Sequence, residues 1–357
     1  MTFLALRLVL AGFGRIGREL VKIALERRDH ILRRYDLDLS IVGVSDRSGA
    51  AISQSGLDLP TILKAKDATG RISAYPTFGK QDMLVSEVLD QVNADVLVEL
   101  TPTDIRIGQP GIDNMQRAIA RGLHIVTTNK GALAVGYKSL SEKAQRQGVA
   151  LKFGGAAHIP IPCVNIESYT SLGPSLVGVE GIVNATTNYV LTQIAGGTSM
   201  KDAISMAQNE KITEHDLNLD LGGWDTACKM VILANWLLRK ESTLRDVKTK
   251  GIADLQPITL IQAKRQGYVI KAIGEIRKQG TKITLKSYPK KLRLSNLLAG
   301  VEGFHKAMIF HTTQGDIFVK TEQAGPKASA YAVMQDIIDI ERKTSSGGRD
   351  CSVVRPP

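Results

Sequence analysis

No stretch constrains the fold as tightly as the N-terminal run LRLVLAGFGRIGRELVKIAL. An apolar strand over about Leu6–Ala11 enters Gly12, Phe13, Gly14, Arg15, Ile16 and Gly17, spaced GxGxxG, and an amphipathic helix over about Arg15–Arg27 follows. The first glycine lets the chain turn tightly, the second leaves bare backbone for a pyrophosphate to approach, and the third lets helix pack close on strand. Glycine-rich turns are common, so the pattern takes its meaning from its place between a buried strand and a helix. The apolar start resembles a secretory h-region, but it meets the fingerprint with no small-residue cleavage pattern and is read as the first buried strand.

The alternation continues. A second buried strand, from Leu39, ends at Asp46 and Arg47, where such a fold meets the adenosine ribose. Asp46 could bond a 2′-hydroxyl and favour NAD, whereas Arg47 could neutralise a 2′-phosphate and favour NADP. Lys64 and Lys66 add positive charge nearby and tip the expectation towards NADP, with NAD as the alternative; the plainer reading leaves both lysines facing water. A strand over Ala94–Thr101, a helix over about Gly111–Arg121, a strand LHIVTTN ending at Asn129 and Lys130, and a helix over about Tyr137–Gln147 complete the set. Such a series implies a Rossmann-type, doubly wound parallel sheet with ligands at the carboxyl ends of its strands, so Thr101, Pro102 and Lys130 point to the cofactor's reactive end.

The run VALKFGGAAHIPIPCVN reads as a crossover into a second α+β domain for substrate and dimerisation. Its expected strands lie near Gly178–Ala185, Tyr268–Arg277, Lys282–Tyr288 and Lys306–Thr312. The implied division is 1–150 for the nucleotide, 151–328 for catalysis and dimerisation, and 329–357 for a last helix, about Ser329–Arg342, and a tail. At 357 residues the chain exceeds what one core usually holds. Its longest apolar stretch, Met230–Leu238, falls far short of the roughly 20 residues that span a bilayer, so no membrane association is expected. Three cysteines, Cys163, Cys228 and Cys351, have no metal-ligand spacing and fit reduced thiols in a cytoplasm, with Cys351 the one placed to cross-link. The net charge of +11 comes from scattered Lys and Arg with no aromatic-interleaved basic motif. It reads as a solvated surface that attracts anionic ligands, not as a nucleic-acid site.

The densest chemistry is in TEHDLNLDLGGWDTACKMVIL, residues 213 to 233. Asp225 and Lys229 stand four apart and share a helix face. Glu214, Asp216 and Asp220 lie in the approach to that helix, whose N-terminal end suits acids. Spacing alone describes a solvated surface pair worth a few tenths of a kcal/mol. An acid so placed could equally orient and hold charged an amine that handles a proton.

Together with GIVNATTNYVL at 181–191, VELTPTD at 98–104, GLHIVTTNKGALA at 122–134 and KASAYAVMQDI at 327–337, this segment resembles the homoserine dehydrogenases, in order along nearly the whole chain. The resemblance is to a short form with no C-terminal regulatory domain. It implies NAD(P)-dependent interconversion of L-homoserine and L-aspartate 4-semialdehyde, in threonine and methionine biosynthesis, by a homodimer acting on a small amino acid. By the same resemblance Lys229 and Lys130 stand near the reacting oxygen and Asp225 positions Lys229. Glu214 and Asp220 bind the substrate amino group, and Ala185 and Thr186 line its carboxylate. Departures are local. Where the family carries a glutamate for a monovalent cation, this chain has Lys152, so no metal site of that type is expected. His158, Ala185, His215 and Gln323 also differ, leaving open a related dehydrogenase for another small semialdehyde or hydroxy acid, or a non-catalytic nucleotide-binding or nucleic-acid-binding homologue.

Overall fold

The computed structural model describes residues 4–157, 166–167, 169–170, 173–210, 212–213, 216–323 and 325–345. The chain divides into two compact units, Met1–Ala156 with Pro326–Pro357, and Ala157–Gly325.

The first unit is built on strands β1 (Leu4–Ala11), β2 (Leu37–Asp46), β3 (Gly49–Ile52), β4 (Gly79–Gln81), β5 (Val96–Glu99), β6 (His124–Thr127) and β7 (Leu151–Lys152). They form one sheet in the order β4-β3-β2-β1-β5-β6-β7. From β2 to β7 every neighbouring pair is parallel, and β3 and β4 add an antiparallel edge. β1 is buried on both faces: Leu8 and Leu10 enter one core cluster, Val9 and Ala11 the other. Each of the buried Leu and Val side chains contributes about 1.5–3 kcal/mol relative to an exposed one. The chain passes from β1 to β2 on one side and returns to β5 on the other, so the crevice beyond β1 and β5 is the switch point where such sheets bind ligands.

The last helix, Gly325–Ser345, places Ala330, Val333, Met334, Ile337 and Ile338 in the same core cluster as Leu8 and Leu10. Their three- and four-residue spacing makes one apolar stripe.

The second unit holds β8 (Leu176–Ile182), β9 (Val247–Thr249), β10 (Tyr268–Gln279), β11 (Lys282–Arg293), β12 (Lys306–Thr312) and β13 (Gly315–Thr321), in the order β13-β12-β8-β10-β11-β9. All pairs are antiparallel except β11 with β9. The helix Trp224–Leu237 lies so close on this sheet that a Cβ at Gly274 would stand 2.8 Å from Met230 and 2.9 Å from Thr226.

Three expectations need correction. The helix expected at Tyr137 begins at Lys130, because Asn129 caps it by accepting from the Ala132 N–H. Gly131 and Gly136 disguised its first turns. The strand expected to reach Ala185 stops at Ile182, where Asn184 caps the helix Ala185–Ala195. β3, β4, β9 and β13 were not foreseen; all but β13 are no longer than four residues and show little alternation.

Candidate active site

In the second unit, β8 ends just before a junction that gathers Asp220, Asp225 and Lys229. Lys229 donates to Asp225 Oδ2 at 2.6 Å and to the Val183 carbonyl at 2.7 Å. Its side chain is 13% exposed and that of Asp225 3%, so the solvated-pair reading is overturned: this is a buried ion pair. Packing of the helix against β10 and β11 takes the pair out of water. Asp220, at the end of the short helix Leu217–Leu221, is also buried, at 1% exposure. It lies beneath the surface, whereas Asp216, four residues earlier, is exposed and caps that helix.

Asn184 joins the two acids. Its amide nitrogen donates to Asp220 Oδ1 at 2.6 Å and to Asp225 Oδ2 at 2.9 Å, while its Oδ1 accepts from the Thr187 N–H at 2.8 Å. The sequence motifs assign it no role, although an Asn three residues before Thr187 at a strand-to-helix junction is a capping signal. Ala185 and Thr186 open the helix that Asn184 caps; Thr186 is buried and gives its hydroxyl proton to the Ile212 carbonyl. Glu214, like His158, His215, Cys163 and Cys351, lies outside the described residues.

In the first unit each fingerprint glycine has the local geometry expected of its place in the motif. A Cβ on Gly12, at φ +97°, would strike the Leu100 carbonyl at 2.7 Å, so the turn is tight against the end of β5. A Cβ on Gly14 would meet nothing within 4 Å, leaving exposed bare backbone at the start of the helix Arg15–Glu26, where anions bind. A Cβ on Gly17 would lie 3.0 Å from the Gly12 carbonyl oxygen, the close helix packing expected of the third glycine. Phe13 is buried in the core and the partly buried Ile16 packs against it, whereas Arg15 is exposed.

Beyond β5 and β6 lies a polar knot. Glu99 is fully buried and accepts from the Thr101 N–H at 2.8 Å, from Asn114 at 2.8 Å, and from the Thr101 hydroxyl. Burial pushes its carboxyl up, and these hydrogen bonds only partly offset that. The Asn129 amide also reaches Thr101 Oγ1 at 3.2 Å and the Pro102 carbonyl at 3.4 Å. The knot thus fixes the loop of Thr101 and Pro102 against the turn carrying Lys130, which is half-buried at the first position of its helix. A cation there opposes the helix dipole by about 0.3–1 kcal/mol, so helix stability does not account for it.

Asp46 is engaged on both oxygens. Oδ1 accepts from the Ser48 N–H and hydroxyl, Oδ2 from Lys66 and the Ile72 N–H. Burial raises its carboxyl, but the bonds from Lys66 and Ser48 outweigh this and hold it below the usual range. Lys66 is therefore committed inward, while Arg47 and Lys64 are exposed. Among the described residues no three His, Cys, Asp or Glu side chains are grouped to hold a metal ion, and no helix is long and apolar enough to cross a membrane.

A doubly wound sheet with a fitted glycine turn, joined to a unit that buries a lysine among carboxylates, defines a dinucleotide-dependent oxidoreductase of two units. The family model for the NAD binding domain of homoserine dehydrogenase matches residues 12–153, and that for homoserine dehydrogenase matches residues 162–338. A homoserine dehydrogenase of Methanocaldococcus jannaschii is 35% identical, over 94% of this chain and 99% of the relative. An NAD(+)-dependent homoserine dehydrogenase of Pseudomonas canavaninivorans is 32% identical, over 95% and 97%. The solved structure of a hyperthermophilic archaeal homoserine dehydrogenase mutant in complex with NADPH shares the fold, with a TM-score of 0.80 at 24% identity over 98% of this chain and 100% of that one. The chain belongs to the homoserine dehydrogenase family.

Proposed function

We propose that this chain interconverts L-homoserine and L-aspartate 4-semialdehyde, with Lys229 handling the proton on the reacting oxygen. The observation that carries the assignment is the buried Lys229–Asp225 pair beside Asp220. An ammonium has three N–H donors; Asp225 and Val183 accept two, which fixes the group, and the third would serve the reacting oxygen. Asp225 pairs with the amine and orients it. Asp220, with Glu214, pairs with the substrate ammonium, a charge-assisted contact that a neutral group would not replace. The first backbone N–H groups of the helix at Ala185 and Thr186 suit the substrate carboxylate.

The bound nicotinamide cofactor supplies the hydride acceptor or donor. Gly12, Gly14 and Gly17 would hold its pyrophosphate, and Thr101, Pro102 and Lys130 stand at its reactive end, held by Glu99 and Asn129. NADP is the proposed preference, because the acid that would select NAD is already bonded to Lys66 while Arg47 and Lys64 remain at the surface. We also propose a cytoplasmic homodimer, two-fold dimers being the default among symmetric oligomers.

Steady-state turnover of L-homoserine with NADP and with NAD tests the reading. The expected result is reduction of both cofactors, with the higher kcat/KM for NADP; absence of reduction with either removes the proposal. Light scattering reports the oligomer.

A further inference from the structure

We propose that Asn184 is a positioning residue that sets the amino-acid recognition site as one unit, tying Asp220, which takes the substrate ammonium, and Asp225, which positions Lys229, to the helix start that takes the substrate carboxylate. The inference rests on the site assignment above and goes beyond it, since Asn184 itself touches no reacting atom.

The orientation of the Asn184 amide follows from its partners. A backbone N–H can only donate, so the 2.8 Å contact from Thr187 N requires Asn184 Oδ1 on that side, and the Thr187 hydroxyl adds a second contact at 3.0 Å. The amide nitrogen must then face Asp220 Oδ1 at 2.6 Å and Asp225 Oδ2 at 2.9 Å, which as carboxylates only accept. Asn184 is 5% exposed, Asp220 1% and Asp225 4%, so water does not replace these bonds. Two buried like charges repel, and a shared donor relieves the repulsion. Val183, one residue earlier, takes Lys229 through its carbonyl. Two consecutive residues after β8 therefore fix the amine, both acids and the first turn of the helix Ala185–Ala195.

Capping alone is the competing explanation, and two substitutions separate it. Asn184→Ser keeps a strong capping oxygen but is too short to reach both carboxylates. Asn184→Asp keeps size and cap but replaces the donating nitrogen with a third carboxylate oxygen. Both are compared with wild type and with Lys229→Ala by circular dichroism, thermal unfolding and pH-dependent kinetics. For Asn184→Ser we expect kcat/KM for L-homoserine to fall roughly 10–100-fold, the scale of one or two lost charge-assisted hydrogen bonds. The KM for NADP should be unchanged and the acid limb of the profile should move to higher pH, because the acids, no longer bridged, take up a proton more readily. Asn184→Asp should fall further.

Either variant folded with the wild-type kcat/KM and profile overturns the proposal. So does a loss of activity that tracks a lower unfolding temperature with the profile unmoved, which is what a cap alone predicts. If Lys229→Ala keeps turnover, the site assignment itself has failed; if that variant is inactive while Asn184→Ser behaves as wild type, only the role of Asn184 has.

Discussion

The two units each hold a lysine against an aspartate at similar distance and exposure, and the two pairs differ in what surrounds them. Lys66 and Asp46 have side chains 17% and 10% exposed; Lys229 and Asp225 are 13% and 3% exposed. Around Asp46 the remaining donors are Ser48 and the Ile72 amide, and Lys66 turns its ammonium also to the Gly70 carbonyl that ends its own helix. That pair closes a turn. Around Asp225 the neighbours are a second buried acid and an asparagine that joins them, with Lys229 held from a third element. A buried ion pair is weak evidence for stability or chemistry by itself, since desolvation offsets most of its attraction; the groups beside it carry the meaning.

The comparison breaks most readily at the lysines. Lys229→Ala should lower kcat by about 10²–10⁴-fold, the usual worth of a proton-handling group, whereas Lys66→Ala should leave kcat within about threefold and lower the unfolding temperature. Equal losses of turnover would erase the distinction.

A sharper version contrasts two acids of the first unit. Asp46 has a counter-charge; Asp336, on the last helix, is fully buried and accepts from the Gly154 N–H at 2.7 Å. Burial pushes Asp336 up to about 7, with the Gly154 bond and the Lys152 charge opposing and Asp339 reinforcing. The pH signs are opposite. Asp46, lowered in the fold, adds stability above its unfolded value near 3.9 that is lost as pH falls through its folded value. Asp336, raised in the fold, binds a proton that the unfolded chain has released, so its contribution is full below about 4 and declines as pH rises towards 7. In urea unfolding, Asp336→Asn should therefore gain on wild type between pH 5 and 8. Asp46→Asn should cost about 1–3 kcal/mol at pH 7, less below pH 4. Identical slopes for the two variants would refute the contrast.

Lys271 extends the contrast to the second unit. It is buried, and among the described residues its hydrogen-bond acceptors are neutral, Asn188 and the Val301 carbonyl. Burial brings it down to about 8, with Glu302 opposing. Since the unfolded chain keeps this proton to about 10.4, wild-type stability should rise from pH 8 upward, and any advantage of Lys271→Met at pH 7 should shrink by pH 10. The smallest effect on turnover is expected for Ser48→Ala, which removes the hydroxyl's bond to Asp46 and its contacts with the Ser73 N–H and hydroxyl and should cost about 1–3 kcal/mol of stability with kinetics unchanged.

Much of this is legible in the sequence. The fingerprint turn, the parallel alternation and the helix face shared by Asp225 and Lys229 follow from spacings of two, three and four residues. The start of the Lys130 helix was not legible, because glycines masked a cap that needs only Asn129 and Ala132. Nor was the burial of Asp220, which four residues of sequence do not separate from the exposed Asp216.

What the sequence determines by itself is local: which residues turn, which pair along a helix, and which stretch carries titratable groups. The charge environment of those groups is not local. Asn184 reaches acids 36 and 41 positions away, and Asp46 is closed off by residues 20 and 26 positions on. Whether an Asp–Lys pair closes a turn or joins a second acid depends on which distant segments exclude water from it, and only packing in three dimensions decides that.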